Sequence, residues 1–570
     1  MNLRQLLTEY LDKSFTSLGV ENPRALVFAT TNEEFGDYQA NGAMAIAKQL
    51  GRNPRTIAQE IVDRAPLADL NAELDIGGPG FINVRLNDLF LATTLSESTL
   101  SQRVERAERI VVDYSSPNIA KELHVGHLRS TVIGDALVRL FEFVGHTVIR
   151  QNHVGDWGTA FGKLIAYFNT DQEFSDLTIG GIEKLYVAAS QEFDTNVDFA
   201  EKARNEVIKL QRQDPDTLRT WEYIVQASLE DVQRIYSELD ISLKLSDVRG
   251  ESSYNPVLPS VVNDLDNKGL LVESDGAKCV FVNGFQRKDG SPLPMIVQKS
   301  DGGYLYHTTD LAALKHRTQE LAADRVIYLT DSRQIHHFRM LFAVGKLVGY
   351  IPQEVSTEHL VFGSVLNKDG EPFRTRGGEN VLLRELIDEG VERALDIVRS
   401  KSGHLTSGEQ QQVARQVAVG AIKYADLSKN RTNDYRFDWD VMLSLDGNTA
   451  PYLQYAHARI CSIFTRAKKD MNEFLEGEIE LQHPSERALA LRLLRFAETL
   501  EQCLDERKPH YLCNYLYEVT VHFMRFYENC PVLKAYTPRL LDSRLCLCSK
   551  TAQVLRIGLK NLGISLPLRM

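Results

Sequence analysis

The chain has 570 residues, too many for a single hydrophobic core, and domain sizes point to about three or four domains. Its composition, 43% hydrophobic and 25% charged, is that of an ordinary globular protein. A net charge of −12 argues against indiscriminate nucleic-acid binding, which needs dense lysine and arginine, although a local basic patch would still permit RNA contact.

The N-terminal MNLRQLLTEYLDKSF lacks the apolar run of a signal peptide, and no stretch approaches the ~20 apolar residues of a membrane span. Seven cysteines (279, 461, 503, 513, 530, 546 and 548) are odd in number and contain no CxxC pair. Neither a disulfide framework nor a protein-bound zinc site is expected, and reduced thiols in a cytoplasmic chain are.

Residues 1–105 read as an α+β module. Leu3, Leu6, Leu7 and Leu11 give helical spacing over Asn2–Ser17. FGDYQAN (Phe35–Asn41) leads into a second helical run, and GGPGFINVRL (Gly77–Leu86) predicts a turn and a strand. The charged stretch Gln102–Glu108 is a plausible linker.

Over 106–440 the pattern changes to strand–loop–helix units. RIVVDYSS is a β-branched run, and Leu128, Val132, Leu137, Leu140, Phe141 and Val144 form a helical stripe after it. A second strand over Thr147–Asn152 ends at GDWG (Gly155–Gly158), with later strands over Asp324–Thr330 and Leu360–Val365. Alternating strands and helices predict an α/β, parallel, doubly wound sheet, interrupted by a charged helical insertion at about 177–245.

Residues 441–570 are all α, with helical spacing over Pro451–Lys468, Ser485–Glu506, His510–Asn529 and Leu540–Leu562. From Pro531 onward there are seven basic residues (Lys534, Arg539, Arg544, Lys550, Arg556, Lys560 and Arg569) against the single acid Asp542. A solvated helix face and an RNA contact account for these equally well.

YSSPNIAKELHVGHLRST (Tyr114–Thr131) joins the end of the first strand to a helix start, where open α/β sheets bind ligands. Unpaired N–H groups and the helix dipole would attract phosphate there, and a small Gly126 would let backbone approach closely. The imidazoles of His124 and His127 can donate hydrogen bonds to phosphoryl oxygens, and with Lys121 they could supply positive groups where charge develops on a phosphorus under in-line attack, chemistry that needs positioning more than acid–base catalysis.

PNIAKELHVGH resembles the ATP-binding signature of class I aminoacyl-tRNA synthetases, in the extended form of the arginyl-tRNA synthetase family. FGDYQAN, VGDWGTAFGKL (Val154–Leu164), YLQYAHAR (Tyr452–Arg459) and the ending GISLPLRM are similar to further family segments in the same order. The resemblance implies a Rossmann-type catalytic core, an N-terminal tRNA-contacting domain and a C-terminal anticodon-binding domain.

It also implies ATP with Mg2+, L-arginine and arginine tRNA as partners, a monomer, and ligation of arginine to its tRNA. Another class I synthetase, a small nucleotidyltransferase or a non-catalytic tRNA-binding paralogue are the competing readings. Missing zinc-ligand cysteines argue against a cysteine enzyme, and the intact histidine signature against a paralogue.

By resemblance, His124, His127 and Lys121 are catalytic, and Pro117, Gly126, Lys368, Arg374 and Arg376 bind ATP. Ser116, Asn118, His127, Tyr306, Asp310 and Gln334 bind arginine. A guanidinium needs carboxylate and amide acceptors, and Tyr306 and Asp310 stand one helical turn apart; a helix N-cap is the alternative role for Asp310. Glu251 is a further acceptor candidate.

The second phosphate loop, FGSVLNKDGEPFRTRGG (Phe362–Gly378), lacks the usual lysine-serine-lysine pattern and has Glu371 where many relatives are basic. Lys121 is expected to supply part of the missing charge. Tyr452, Tyr455 and Arg459 are candidates for stacking on anticodon bases, with a core-facing role as the alternative for the tyrosines.

Overall fold

The structure, a computed structural model, describes residues 2–570 except 20, 21, 23, 31, 66–69, 71, 169–177, 375–379 and 404. The chain divides into two compact units: residues 1–102 with 444–560 and 565–570, and residues 103–443 with 561–564.

The larger unit is built on four parallel strands in the order Ser356–Phe362, Arg325–Asp331, Arg109–Asp113, Thr147–Gln151. Ile110, Val111 and Val112 are fully buried, as expected for a strand covered on both faces. The chain leaves the central strand Arg109–Asp113 first to one side and later to the other, so the strand order reverses at its carboxyl end. That switch point is where ligands bind in open α/β sheets.

The helix Val125–Val144 follows and stops at Gly145, whose φ of 103° is the left-handed turn that ends many helices. The strand expected at Leu360–Val365 is two strands, Ser356–Phe362 and Val365–Leu366. The second of these leaves the main sheet to pair in parallel with Tyr435–Arg436.

The insertion is three helices, Ile179–Thr195, Val197–Gln211 and Pro215–Glu238. Their N-termini are capped by Thr178, Asn196 and Asp214, each accepting a backbone N–H. An antiparallel sheet of Leu271–Ser274, Ala277–Gln286 and Pro292–Gln298 precedes the third core strand and is not anticipated by the sequence reading.

In the other unit a four-stranded antiparallel sheet (Val27–Ala29, Tyr38–Ala40, Phe81–Arg85, Glu73–Gly77) packs with the helices of the C-terminal region. Arg487 donates to both carboxylate oxygens of Asp37 at 2.9 Å and to the Leu86 carbonyl at 2.8 Å. The Tyr38 hydroxyl reaches Glu498 at 2.5 Å. The helix expected over Ser485–Glu506 breaks at Arg495 into Pro484–Leu494 and Phe496–Glu506. Among the described residues, no helix is long and apolar enough to cross a membrane.

Candidate active site

Beyond Asp113 the chain turns abruptly. Ser115 and Ser116 have φ of 66° and 44°, a conformation costing roughly 1–3 kcal/mol per non-glycine residue. Hydrogen bonds hold it. The Ser115 N–H donates to Ser130 Oγ and the Ser116 N–H to Asn152 Oδ1, each at 3.0 Å. Ser116 Oγ donates to Asp113 at 2.6 Å and accepts the His153 N–H at 3.0 Å. Asp113 is itself paired at 2.7 Å with the buried Arg317.

Pro117 and Asn118 lie along Gly155, the Gly155 N–H donating to the Pro117 carbonyl at 3.0 Å. A Cβ at Gly155 would stand 2.1 Å from Asn118 Oδ1, so glycine is required for this approach.

The two histidines cross-cap their helix. His124 Nδ1 accepts the Gly126 N–H at 3.1 Å, and His127 Nδ1 accepts the His124 N–H at 3.2 Å. Their rings stand 4.0 Å apart. With both Nδ1 atoms accepting, each ring carries its proton on Nε2 and presents an N–H donor. Gly126 also has a role within the chain: a Cβ there would lie 2.8 Å from the His124 ring. The glycine makes room for the imidazole.

Two expectations are corrected here. The N–H groups of the first turn are not unpaired: Val125 donates to the Val381 carbonyl at 2.9 Å and His127 to the His124 carbonyl at 2.8 Å. Nor are the histidines cations. Burial, then the Lys121 charge, lowers His124 to about 4; burial, then His124 and Lys121, lowers His127 to about 3. Two neutral N–H donors beside one ammonium replace a helix N-terminus and three cations.

Asp310 lies inside the helix Tyr306–Lys315, whose N-cap is Leu305, so the capping alternative fails. Its carboxylate takes a 2.7 Å hydrogen bond from His337 Nε2, with His153 Nε2 at 3.7 Å. Burial would raise its pKa, but the His337 hydrogen bond and charge, with His153 and Arg317, hold it below the usual range. Glu251 is pushed up to about 7 by burial and then by the charges of Asp310 and Asp156.

His153 thus links Ser116 to Asp310, bringing together the two ends expected of an amino-acid pocket. Tyr306 is exposed, its ring 5.2 Å from that of His337. Gln334 is exposed in a short turn (Ser332–Gln334) three residues past its strand.

In the second loop Lys368 is committed elsewhere, 3.0 Å from Asp438 and 3.1 Å from Asp440. Arg374 is exposed and bridges to Asn380, while Arg376, with Gly377 and Gly378, lies outside the described residues.

Three family models match the chain: "Arginyl tRNA synthetase N terminal domain" over residues 1–86, "tRNA synthetases class I (R), catalytic domain" over 91–439 and "DALR anticodon binding domain" over 453–570. The arginine–tRNA ligase of Alteromonas mediterranea is 48% identical and that of Klebsiella pneumoniae 46%, with 99% and 100% of each chain covered. The chain belongs to the class I arginyl-tRNA synthetase family.

Solved arginyl-tRNA synthetases have the same fold. That of Plasmodium falciparum superposes with a TM-score of 0.86 at 32% identity, covering 100% of this chain and 99% of that one. The Thermus thermophilus enzyme gives 0.83 at 26%, covering both chains fully.

In this synthetase the RNA candidates lie on the helix Ala450–Ala467. Arg459 is stacked between Tyr455 and Tyr527, 4.7 and 5.1 Å from their ring centres, and Tyr452 faces Tyr517 at 6.1 Å. All three candidates are half-buried. Three of the seven basic residues in the C-terminal stretch make internal contacts with carboxylates or a carbonyl: Arg544 pairs with the buried Glu486 at 2.8 Å, Lys550 caps the Ser96 carbonyl at 3.0 Å, and the exposed Arg539 pairs with Glu480. Lys534, Arg556, Lys560 and Arg569 are exposed.

Sequence reading missed His153 and His337. Each sits inside a recognisable segment, NHVGD and RQIHH, but the partner that gives it meaning, Asp310, is far away in sequence.

Proposed function

We propose that the pocket at the end of strand Arg109–Asp113 performs both steps of arginine–tRNA ligation. L-Arginine, ATP and arginine tRNA are its substrates. The arginine carboxylate attacks the α-phosphorus of ATP, the bond to the bridging oxygen breaks, and pyrophosphate leaves. The terminal tRNA hydroxyl then attacks the adenylate carbonyl and AMP departs.

The observation that carries this reading is the cross-capped pair His124–His127. Two fixed Nε2–H donors and Lys121 can take up charge as it grows on the phosphoryl oxygens, without reorganisation at the moment of reaction. Pro117 and Gly126 line the adenylate side. ATP enters as its magnesium complex, which is substrate here. Lys368, Arg374 and Arg376 complete the phosphate contacts once Lys368 is released from Asp438 and Asp440.

Asp310 and Glu251 receive the guanidinium, with Tyr306 and Gln334 at the pocket mouth; Ser116, Asn118 and His127 receive the α-amino and carboxylate end. Residues 1–105 serve as the tRNA-contacting module, 106–440 as the catalytic domain and 441–570 as the anticodon-binding domain, with Tyr452, Tyr455 and Arg459 as base-stacking residues in a cytoplasmic monomer.

The test is ATP–pyrophosphate exchange with tRNA present and each amino acid in turn. Arginine alone should support exchange; exchange driven equally by glutamine would overturn the arginine assignment.

A further inference from the structure

Lys121 is the one cation beside the two histidines in the signature, and the backbone on both sides of it is held by other elements. Ala120 holds a φ of 69°, and its N–H donates at 3.1 Å to Ser228 Oγ, on the insertion helix Pro215–Glu238. On the other side of Lys121, the Glu122 N–H donates at 3.0 Å to the Glu183 carboxylate, on the insertion helix Ile179–Thr195. The backbone is therefore pinned on both sides of the lysine by the insertion.

A third restraint comes from the chain that leaves the second phosphate loop. Val381 and Leu383 hydrogen-bond along Leu123 and Val125, at 2.9 and 2.8 Å. The next residue, Arg384, reaches two carboxylates with one guanidinium nitrogen: Asp231 of the insertion at 2.8 Å and Glu122 at 3.3 Å. Asp231 is buried and Glu122 nearly so.

We propose that Arg384 is a positioning residue for ATP activation, clamping Glu122 to Asp231 so that Lys121 is aimed at the phosphates. The catalytic insertion is then part of the phosphate site rather than an ornament on it. Arginine suits the task, because its rigid guanidinium plane fixes the direction of the shared nitrogen more firmly than the freely rotating ammonium of a lysine would. Its guanidinium is 40% exposed, so the ion pairs add little to overall stability, and the consequence of losing them is misplacement of Lys121.

The proposal rests on the reading of Lys121 as a phosphate-binding cation, and the experiment separates the two. Arginine-dependent pyrophosphate exchange is measured with tRNA on the full chain carrying Arg384→Ala, Arg384→Lys, Lys121→Ala, or Lys121→Ala with Arg384→Ala. Melting temperatures are recorded alongside.

Arg384→Ala should lower kcat/KM for ATP by roughly 10- to 100-fold, leave the KM for arginine unchanged, and leave the melting temperature unchanged. Arg384→Lys should recover part of the loss. In the Lys121→Ala background, Arg384→Ala should cost almost nothing further. A fully multiplicative loss in the double variant, or equal loss towards ATP and arginine, overturns the role of Arg384. Normal exchange by Lys121→Ala alone overturns the reading of Lys121 beneath it.

Discussion

Glu251 and Asp310 are carboxylates close enough to titrate one another, and their environments drive them apart. Asp310 is held ionised by His337 and His153, whereas Glu251 is raised to about 7. Below pH 7 Glu251 is protonated, so an incoming guanidinium meets a single charge there; above pH 7 it meets both. The KM for arginine should therefore fall as pH rises through 7, and Glu251→Gln should flatten that dependence. A flat profile in the unaltered chain would contradict it.

Asp310→Asn should weaken arginine by about 1.5–3 kcal/mol while leaving ATP unaffected, since a charge-assisted partner is lost. Equal losses for the two substrates would mean that Asp310 holds the fold instead. At this scale the sequence discloses residue types better than their roles. HVGH suggests the phosphate site, but nothing local reveals that Gly126 also makes room for the His124 ring, or that burial lowers both histidines. Burial and contacts distant in sequence decide both.

At the scale of elements, hydrophobic periodicity locates helices well: His510–Asn529 has the expected bounds. It fails where a long-range contact overrides it. Nothing in the spacing predicts a break at Arg495, whose side chain donates to the Asp37 carbonyl and lies 4.9 Å from the Tyr38 ring centre. Two of the basic C-terminal residues are likewise taken up by long-range contacts, because Glu486 and the Ser96 carbonyl claim Arg544 and Lys550.

Arg487 makes another such tie, its forked pair with the buried Asp37 extended by Asp88 at 2.6 Å. Arg487→Ala strands the Asp37 carboxylate and should cost about 3–5 kcal/mol. Denaturant unfolding followed by a probe in the N-terminal sheet reads this as a lowered midpoint; an unchanged midpoint would assign the contact no weight.

On the scale of the whole molecule, the polar stretch Asp426–Asp440 is the element best placed to relay RNA binding to chemistry. It leads along the chain into the helical region and touches both phosphate loops. Asp426 pairs with Arg129 of the signature helix at 3.1 Å, and the Tyr435 and Phe437 N–H groups donate to Ser364 and Leu366 at 3.1 and 2.8 Å. Its last residues, Asp438 and Asp440, hold Lys368.

A tRNA that favours one arrangement of this stretch by about 1–3 kcal/mol would switch the second loop. The spacing of motifs indicates where that stretch lies, whereas its contacts become visible only in three dimensions.

The most direct measurement is arginine-dependent pyrophosphate exchange by the unaltered chain and by His127→Ala, each with and without arginine tRNA. The unaltered chain should exchange only when tRNA is present, and His127→Ala should lose ~10²–10³ in rate while keeping its fold, as removal of one fixed donor to a developing charge requires. Near-normal exchange by His127→Ala would contradict the assignment of the cross-capped histidines to the phosphate site, and robust exchange without RNA would contradict the relay through Asp426–Asp440.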